Sequence, residues 1–199
     1  MMDQQRSTVS PLNIANVLTA LRIVLVPFFI WFLLADEQHY SWWRWAAVVV
    51  FSVAIYTDKL DGDLARKHNL VTDFGKIADP IADKLLIGAA LIILSGLNEL
   101  SWWITVLILI REIGITVLRF VVIRYGVIPA SRGGKIKTVL QTVAIFLYLL
   151  PWTPQWLWLS VIALIVMIAA LLVTLVTGID YIVQAARLRW RGMASGIQS

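Results

Sequence analysis

Residues 58–84 read DKLDGDLARKHNLVTDFGKIADPIADK. Four carboxylates in this stretch, Asp58, Asp61, Asp79 and Asp83, fall into two pairs spaced three and four residues apart. Either spacing puts two side chains on one face of a helix. The surrounding chain is mostly apolar, and a carboxylate at the centre of a membrane helix costs about 2.5–3.5 kcal/mol on insertion scales. Four acids so close together in such a context need a purpose. As oxygen ligands on neighbouring helices they read as a divalent-metal site.

Composition sets the class. The chain has 199 residues, of which 60% are hydrophobic and 15% charged, with a mean hydropathy of +0.82. Soluble domains average about 25% charged residues. The expected class is therefore an all-α integral membrane protein, one domain over 1–199. Cysteine is absent, which excludes a disulfide, a thiolate metal site and a cysteine nucleophile. His39 and His68 are the only histidines, so a histidine-rich zinc site is excluded too. Any metal must be held by oxygen, which favours Mg²⁺, Mn²⁺ or Ca²⁺. The opening MMDQQRSTVSPLN is polar, with one basic residue and no small-residue cleavage site. It does not read as a removable signal peptide.

Six apolar runs follow, at 17–35, 42–57, 77–97, 102–123, 136–150 and 156–179. A helical span needs about 20 residues. The second and fifth runs reach that length only if their helices continue into charged sequence, towards Arg66 and back towards Lys135. The loops near 36–43, 98–101 and 151–155 carry no Lys or Arg, whereas the other side carries Arg6, Lys59, Arg66, Lys67, Lys76, Arg124, Arg132, Lys135, Lys137, Arg187, Arg189 and Arg191. The positive-inside rule then expects six transmembrane helices with both termini cytoplasmic. Tryptophans at 42, 43, 102, 103, 152, 156 and 158 fall at the opposite ends, as an aromatic belt does. A short N-terminal interfacial helix is expected over 10–16. The net charge of +5 reads as topology plus attraction to anionic lipid headgroups. Membrane lipids are the expected surroundings, and no nucleic-acid partner is expected.

The second and third spans are antiparallel across the turn KHNLVTDF, so both acidic pairs come to one depth and face each other. Such carboxylates can hold two divalent ions, and two ions clamp the attacking and leaving oxygens of a phosphoryl displacement. Gly62, Ala65 and Gly75 share the acidic faces and leave room for a nucleotide or, alternatively, for a packed helix. Asp63 falls off these faces, and Asp73 is placed to cap the third helix. Other readings of the four acids are ion pairs with Lys59, Arg66, Lys76 and Lys84, a proton relay, or an ion pathway. Against a relay, the acids gather at one end. Glu112 is the sole acid near mid-membrane in the first five spans, and Arg111 is beside it.

The pattern Asp58-x2-Asp61-Gly62-x2-Ala65-Arg66-x8-Gly75-x3-Asp79-x3-Asp83 resembles the signature of the CDP-alcohol phosphotransferases, with all eight fixed positions present. The resemblance implies a six-helix fold, a homodimer, and a site open to the cytoplasm where an alcohol attacks a CDP-linked donor and CMP leaves. It implies two divalent cations, Mg²⁺ or Mn²⁺, held by Asp58, Asp61, Asp79 and Asp83. Asp83 is then also the base that takes the acceptor proton. Gly62, Ala65 and Arg66 are implied to contact CDP, with Gly75 on the same face. Thr72 sits where the family often contacts the diphosphate. Asn16 and Thr19 resemble the family's N-terminal nucleotide contact.

Arg111-Glu112-Ile113, Leu118-Arg119, Gly134-Lys135-Ile136-Lys137-Thr138 with Gln141, and Asn16-x2-Thr19-x2-Arg22 with Pro27 resemble bacterial members of the family that use CDP-diacylglycerol as donor and glycerol 3-phosphate as acceptor. This resemblance runs from Asn13 to Tyr181. It implies a bacterial cytoplasmic membrane location and a role for Arg111, Arg119, Lys135 and Lys137 in binding the acceptor phosphate. Cations at the cytoplasmic ends of the fourth and fifth spans suit a phosphate. Arg111 has an alternative reading as a buried ion pair with Glu112 or another acid. Lys135 and Lys137 have one as topological charges. Within the family, inositol phosphate or phosphatidylglycerol are alternative acceptors. Outside it, a divalent-cation transporter accounts for the acids but not for Gly62, Ala65 and Arg66, and a lipid-binding scaffold predicts that all four acids tolerate neutralisation.

Overall fold

The structure, a computed structural model, describes residues 14–36, 42–68, 73–122 and 132–195, with side chains at 17–36, 42–60, 81–122 and 133–188. Six helices follow in order: α1 Ile14–Ala35, α2 Trp42–His68, α3 Asp73–Gly96, α4 Trp102–Val122, α5 Arg132–Leu149 and α6 Leu157–Ser195. Each coincides with one apolar run, and no strand occurs among the described residues. As the short second and fifth runs required, α2 continues to His68 and α5 starts back at Arg132. Asp73 is the first residue of α3. Most of the interfacial helix expected over 10–16 lies outside the described residues, and α1 starts at Ile14. Two segments, Val17–Ala35 and Leu157–Leu188, are long and apolar enough to cross a membrane by length and composition.

α6 extends beyond its apolar run. The apolar run stops at Ile179, but the helix has 39 residues, about 58 Å at 1.5 Å per residue. That is far longer than the ~30 Å hydrocarbon thickness. Nothing after Ile179 breaks a helix: the sequence DYIVQAARLRWR has no proline or glycine and is rich in helix formers. Gln184 also donates to Asp180 at 2.8 Å, one turn back. The end of an apolar run marks where lipid contact stops, which need not be where the helix stops.

The chain divides into two units, Met1–Ile93 and Leu94–Ser199. In the first, α1 and α2 pack along matching stripes. On α1 the buried positions are Thr19, Arg22, Val26, Phe29 and Leu33, with Asp36 in the turn just after it; on α2 they are Arg44, Ala47, Val48, Phe51, Ala54 and Thr57. Three- and four-residue steps keep each stripe on one face. Ala47 and Ala54 are fully buried, and such small residues let helix backbones approach. Three contacts run in opposite order along the two helices: Arg22 with Asp58, Phe29 with Phe51 at 5.8 Å between ring centroids, and Phe32 with Trp43 at 5.7 Å. The pair is therefore antiparallel.

The second unit closes around α6. α3 ends where Asn98 takes a left-handed φ of 60°, a conformation asparagine tolerates better than most residues. There Glu99 and Leu100 donate their backbone N–H groups to the Leu94 carbonyl. Just before and after that turn, the buried hydroxyls of Ser95 and Thr105 meet at 2.7 Å. α5 and α6 are joined by the tight turn 150–156, held by Thr153 and Gln155 backbone donors and by the Thr153 hydroxyl on the Leu147 carbonyl. So short a connection makes them antiparallel neighbours. They bury Lys137, Gln141, Ala144, Ile145 and Tyr148 on α5, and Leu159, Ala163, Met167, Ala170, Leu171 and Thr174 on α6.

Truncating Phe51 tests the α1–α2 contact. In an apolar surrounding the transfer gain is small, so the cavity term dominates. At about 24 cal/mol per Å³ over a void on the order of 100 Å³, Phe51→Ala should cost roughly 2 kcal/mol. Thermal unfolding of the detergent-solubilised variant checks this, and an unchanged midpoint would contradict the packing.

Candidate functional site

α2 is unbroken through Asp58 and Asp61, and α3 through Asp79 and Asp83. Each pair therefore does share one helix face. The carboxylate of Asp58 lies 2.7 Å from Nη1 of Arg22 on α1; Arg22 is 1% exposed and the Asp58 side chain 43%. Arg22 was not among the cations expected to pair with the acids. Its signal was present: an arginine inside an otherwise apolar helix calls for a partner, and Thr19, buried one turn earlier, continues the same polar line. Asp83 is half-buried on α3. Asp61, Gly62, Ala65 and Arg66 lie on α2, and Gly75 and Asp79 on α3, but their side-chain surroundings fall outside the described residues, as does that of Asn16 on α1. Thr72 lies outside altogether. Among the described residues no three candidate metal ligands gather. The four acids of the motif offer carboxylate oxygens, donors that suit a hard divalent cation.

A second cluster lies within the other unit. Glu112 on α4 accepts two bonds on one oxygen: Arg111 Nη1 donates to Oε1 at 2.8 Å and Lys137 Nζ, from α5, donates to it at 2.6 Å. Nη2 of Arg111 donates to the Thr177 hydroxyl of α6 at 2.9 Å. The Arg111 side chain lies against Gly178, where an added Cβ would stand 3.1 Å from Cγ and 3.2 Å from Nε. The side chains of Arg111, Glu112 and Lys137 are only 15%, 18% and 11% exposed. Arg111 Nε is buried with no hydrogen-bond partner, as are Gln141 Nε2, one turn from Lys137 on α5, and Thr174 Oγ1, one turn before Thr177 on α6. The cluster joins three helices, holds two cations against one anion, and keeps polar atoms in reserve.

Of the four cations expected to bind phosphate, Arg111 and Lys137 thus come together through Glu112. Arg119, two turns further along α4, is exposed with its guanidinium 5.9 Å from the Tyr181 ring centroid, within range for a cation–π contact. Lys135 is exposed. Arg111 meets Thr177 and Arg119 meets Tyr181, in the same order along both helices, so α4 and α6 run parallel. The sequence offered Glu112 as the one acid near mid-membrane and as an alternative ion-pair partner for Arg111, and that pair is present at 2.8 Å. Thr177, Gly178 and Tyr181 were not singled out. Gly178 left a trace, an isolated glycine in a helical run, which usually has a packing reason.

The comparisons agree with the motif. Residues 12–178 match the CDP-alcohol phosphatidyltransferase family model. The chain is 54% identical over 175 residues to a probable phosphatidylglycerophosphate synthase of Mycobacterium tuberculosis H37Rv, covering 88% of this chain and 82% of that protein. It is 41% identical over 151 residues to the CDP-diacylglycerol–glycerol-3-phosphate 3-phosphatidyltransferase of Bacillus subtilis 168, covering 69% and 77%. The Escherichia coli K12 protein of the same name is 35% identical over 181 residues, covering 88% and 95%. The chain belongs to the CDP-alcohol phosphatidyltransferase family and is an enzyme of that type.

The Arg22–Asp58 pair is asymmetric in burial, which orders the effects of its two simplest variants. Asp58→Asn leaves a buried guanidinium facing a neutral amide, whereas Arg22→Met keeps much of the buried volume and leaves a carboxylate that water can reach. Breaking a buried pair costs about 3–5 kcal/mol and an exposed one about 0–1. Asp58→Asn should therefore fall between, at about 1–3 kcal/mol, and exceed Arg22→Met. Melting temperatures of the two variants, measured without substrate, check the order.

Proposed function

We propose that this chain transfers the phosphatidyl group of CDP-diacylglycerol to sn-glycerol 3-phosphate, giving phosphatidylglycerophosphate and CMP. The observation that carries the reading is the full Asp58–Asp83 motif on two unbroken helices in a chain similar along most of its length to proteins named for this reaction. The topology is six spans in a bacterial cytoplasmic membrane, with both termini and the reaction centre cytoplasmic. The one-sided distribution of Lys and Arg supports it, as does the parallel course of α4 and α6. The enzyme acts as a homodimer in this reading.

Asp58, Asp61, Asp79 and Asp83 hold two divalent cations, Mg²⁺ or Mn²⁺. Once bound, these supply charge neutralisation at the diphosphate. The chain's own residues do the rest. Gly62, Ala65, Arg66, Thr72 and Gly75, with Asn16 and Thr19, receive the CDP end of the donor, whose acyl chains remain in lipid. Arg111, Arg119, Lys135 and Lys137 receive the acceptor phosphate. Asp83 takes the proton from the free primary hydroxyl of glycerol 3-phosphate. That oxygen forms a bond to the β-phosphorus of the donor as the bridging bond to CMP breaks. CMP departs with the bridging oxygen. Catalysis is mostly positioning and electrostatic stabilisation. Arg22 supports the reading by holding the Asp58 carboxylate, at 2.7 Å, in one orientation.

Purified protein with Mg²⁺ and CDP-diacylglycerol should release CMP with glycerol 3-phosphate, and far more slowly with inositol phosphate or phosphatidylglycerol. Asp83→Asn should lower turnover by a factor on the order of 10³ or more, the loss expected when a base is removed from a concerted site, while CDP-lipid binding persists. Full activity in that variant would sink the base assignment. Preferential CMP release with another alcohol would overturn the acceptor.

A further inference from the structure

We infer that Glu112 is a positioning residue for the acceptor: its carboxylate, with Thr177 and the gap at Gly178, sets Lys137 and Arg111 as a fixed pair of cations. The inference rests on the acceptor reading above and goes beyond it by naming a group of the same sign as the substrate's phosphate as a requirement for binding that phosphate. Three observations carry it. First, one oxygen, Glu112 Oε1, accepts from Lys137 at 2.6 Å and from Arg111 at 2.8 Å, so two groups that repel each other are held one hydrogen bond from a common atom. Second, Arg111 is fixed from the other side by the Thr177 hydroxyl at 2.9 Å and lies where Gly178 has no Cβ. Third, the cluster is nearly closed to water by its helices, yet Arg111 Nε and Gln141 Nε2, one turn along α5 from Lys137, have no hydrogen-bond partner.

The charge arithmetic explains why an anion belongs here. Among the described residues the hydrogen-bonded cluster holds two cations and one carboxylate, an excess of one formal positive charge in a low-dielectric surround, where positive charge favours an anion. Without Glu112 two cations would face each other unpaired and would swing apart. With it, the guanidinium and ammonium stay side by side and the residual charge favours an anion. A preset donor pair also avoids the ordering cost of collecting two long side chains at the moment of binding. A helix staple alone would need the ion pairs and the seat at Gly178 too, but it would not need the partnerless donors.

The test measures CMP release from CDP-diacylglycerol in mixed micelles with Mg²⁺ while glycerol 3-phosphate is varied. Glu112→Gln should raise KM for glycerol 3-phosphate by about ten-fold or more, with kcat within about three-fold and KM for CDP-diacylglycerol unchanged, the pattern of lost ground-state binding. In a Lys137→Ala background the same change should add less than about two-fold, because residues acting through one another are not additive. Gly178→Ala, a milder change that displaces Arg111 by a few tenths of an ångström, should raise the same KM by about two- to five-fold and serves if Glu112→Gln does not fold. An unchanged KM for glycerol 3-phosphate, an equal rise in both KM values, or full additivity with Lys137→Ala would each overturn the role. If the wild-type protein releases no CMP with glycerol 3-phosphate, the acceptor reading itself falls and takes this inference with it.

Discussion

A charge inside an apolar helix must find an opposite charge on a neighbour, and that requirement organises this protein. Arg22 is 1% exposed and is the one charged residue of α1 between Val17 and Ala35. Arg111 and Lys137 are also largely enclosed, at 15% and 11% exposed. In lipid-like surroundings apolar contact gives helices little reason to choose one neighbour over another. An unpaired ion has a strong reason, because its desolvation is offset only where a partner is met in good geometry. Successive residues of a helix are about 100° apart around its axis, so a one-residue rotation of α1 would turn Arg22 away from Asp58. The ion pairs therefore set helix rotation, and the alanines and aromatic rings fill in around them.

The same pairs carry the link from fold to chemistry. Arg22 holds the first acid of the motif in place from a third helix. Glu112 ties α4 to α5 while its neighbour Arg111 ties α4 to α6. Adjacent residues on one helix thus reach two different partners, because their side chains leave the axis in different directions. Groups preset in this way need little reorganisation when charge arrives or develops, which is the main source of electrostatic catalysis.

Much of this was legible in the chain. Six runs became six helices, and charged extensions were needed for α2 and α5 because an apolar run too short to span implies a longer helix. The acidic spacing held because three and four residues along a helix is a local relation. Hydropathy reports lipid contact and so marks only the apolar part of α6; past Ile179 the helix is sustained by propensity and by Asp180–Gln184. The pairing of Arg22 with Asp58 was not legible, because Arg22 is 36 residues away in the chain whereas Lys59, Arg66, Lys76 and Lys84 lie beside the acids.

Spacing, composition and motif were enough for the helices among the described residues, the faces of the acids and the family. All of these depend on relations among residues close in the chain or on totals over it. The pairing of Arg22 with Asp58, the sharing of one Glu112 oxygen by Arg111 and Lys137, and the use of Gly178 as a seat for Arg111 depend on which helices lie side by side and how each is rotated. Those are settled by the joint packing of distant segments, because an ion's choice among several possible partners is made by geometry that no single helix contains.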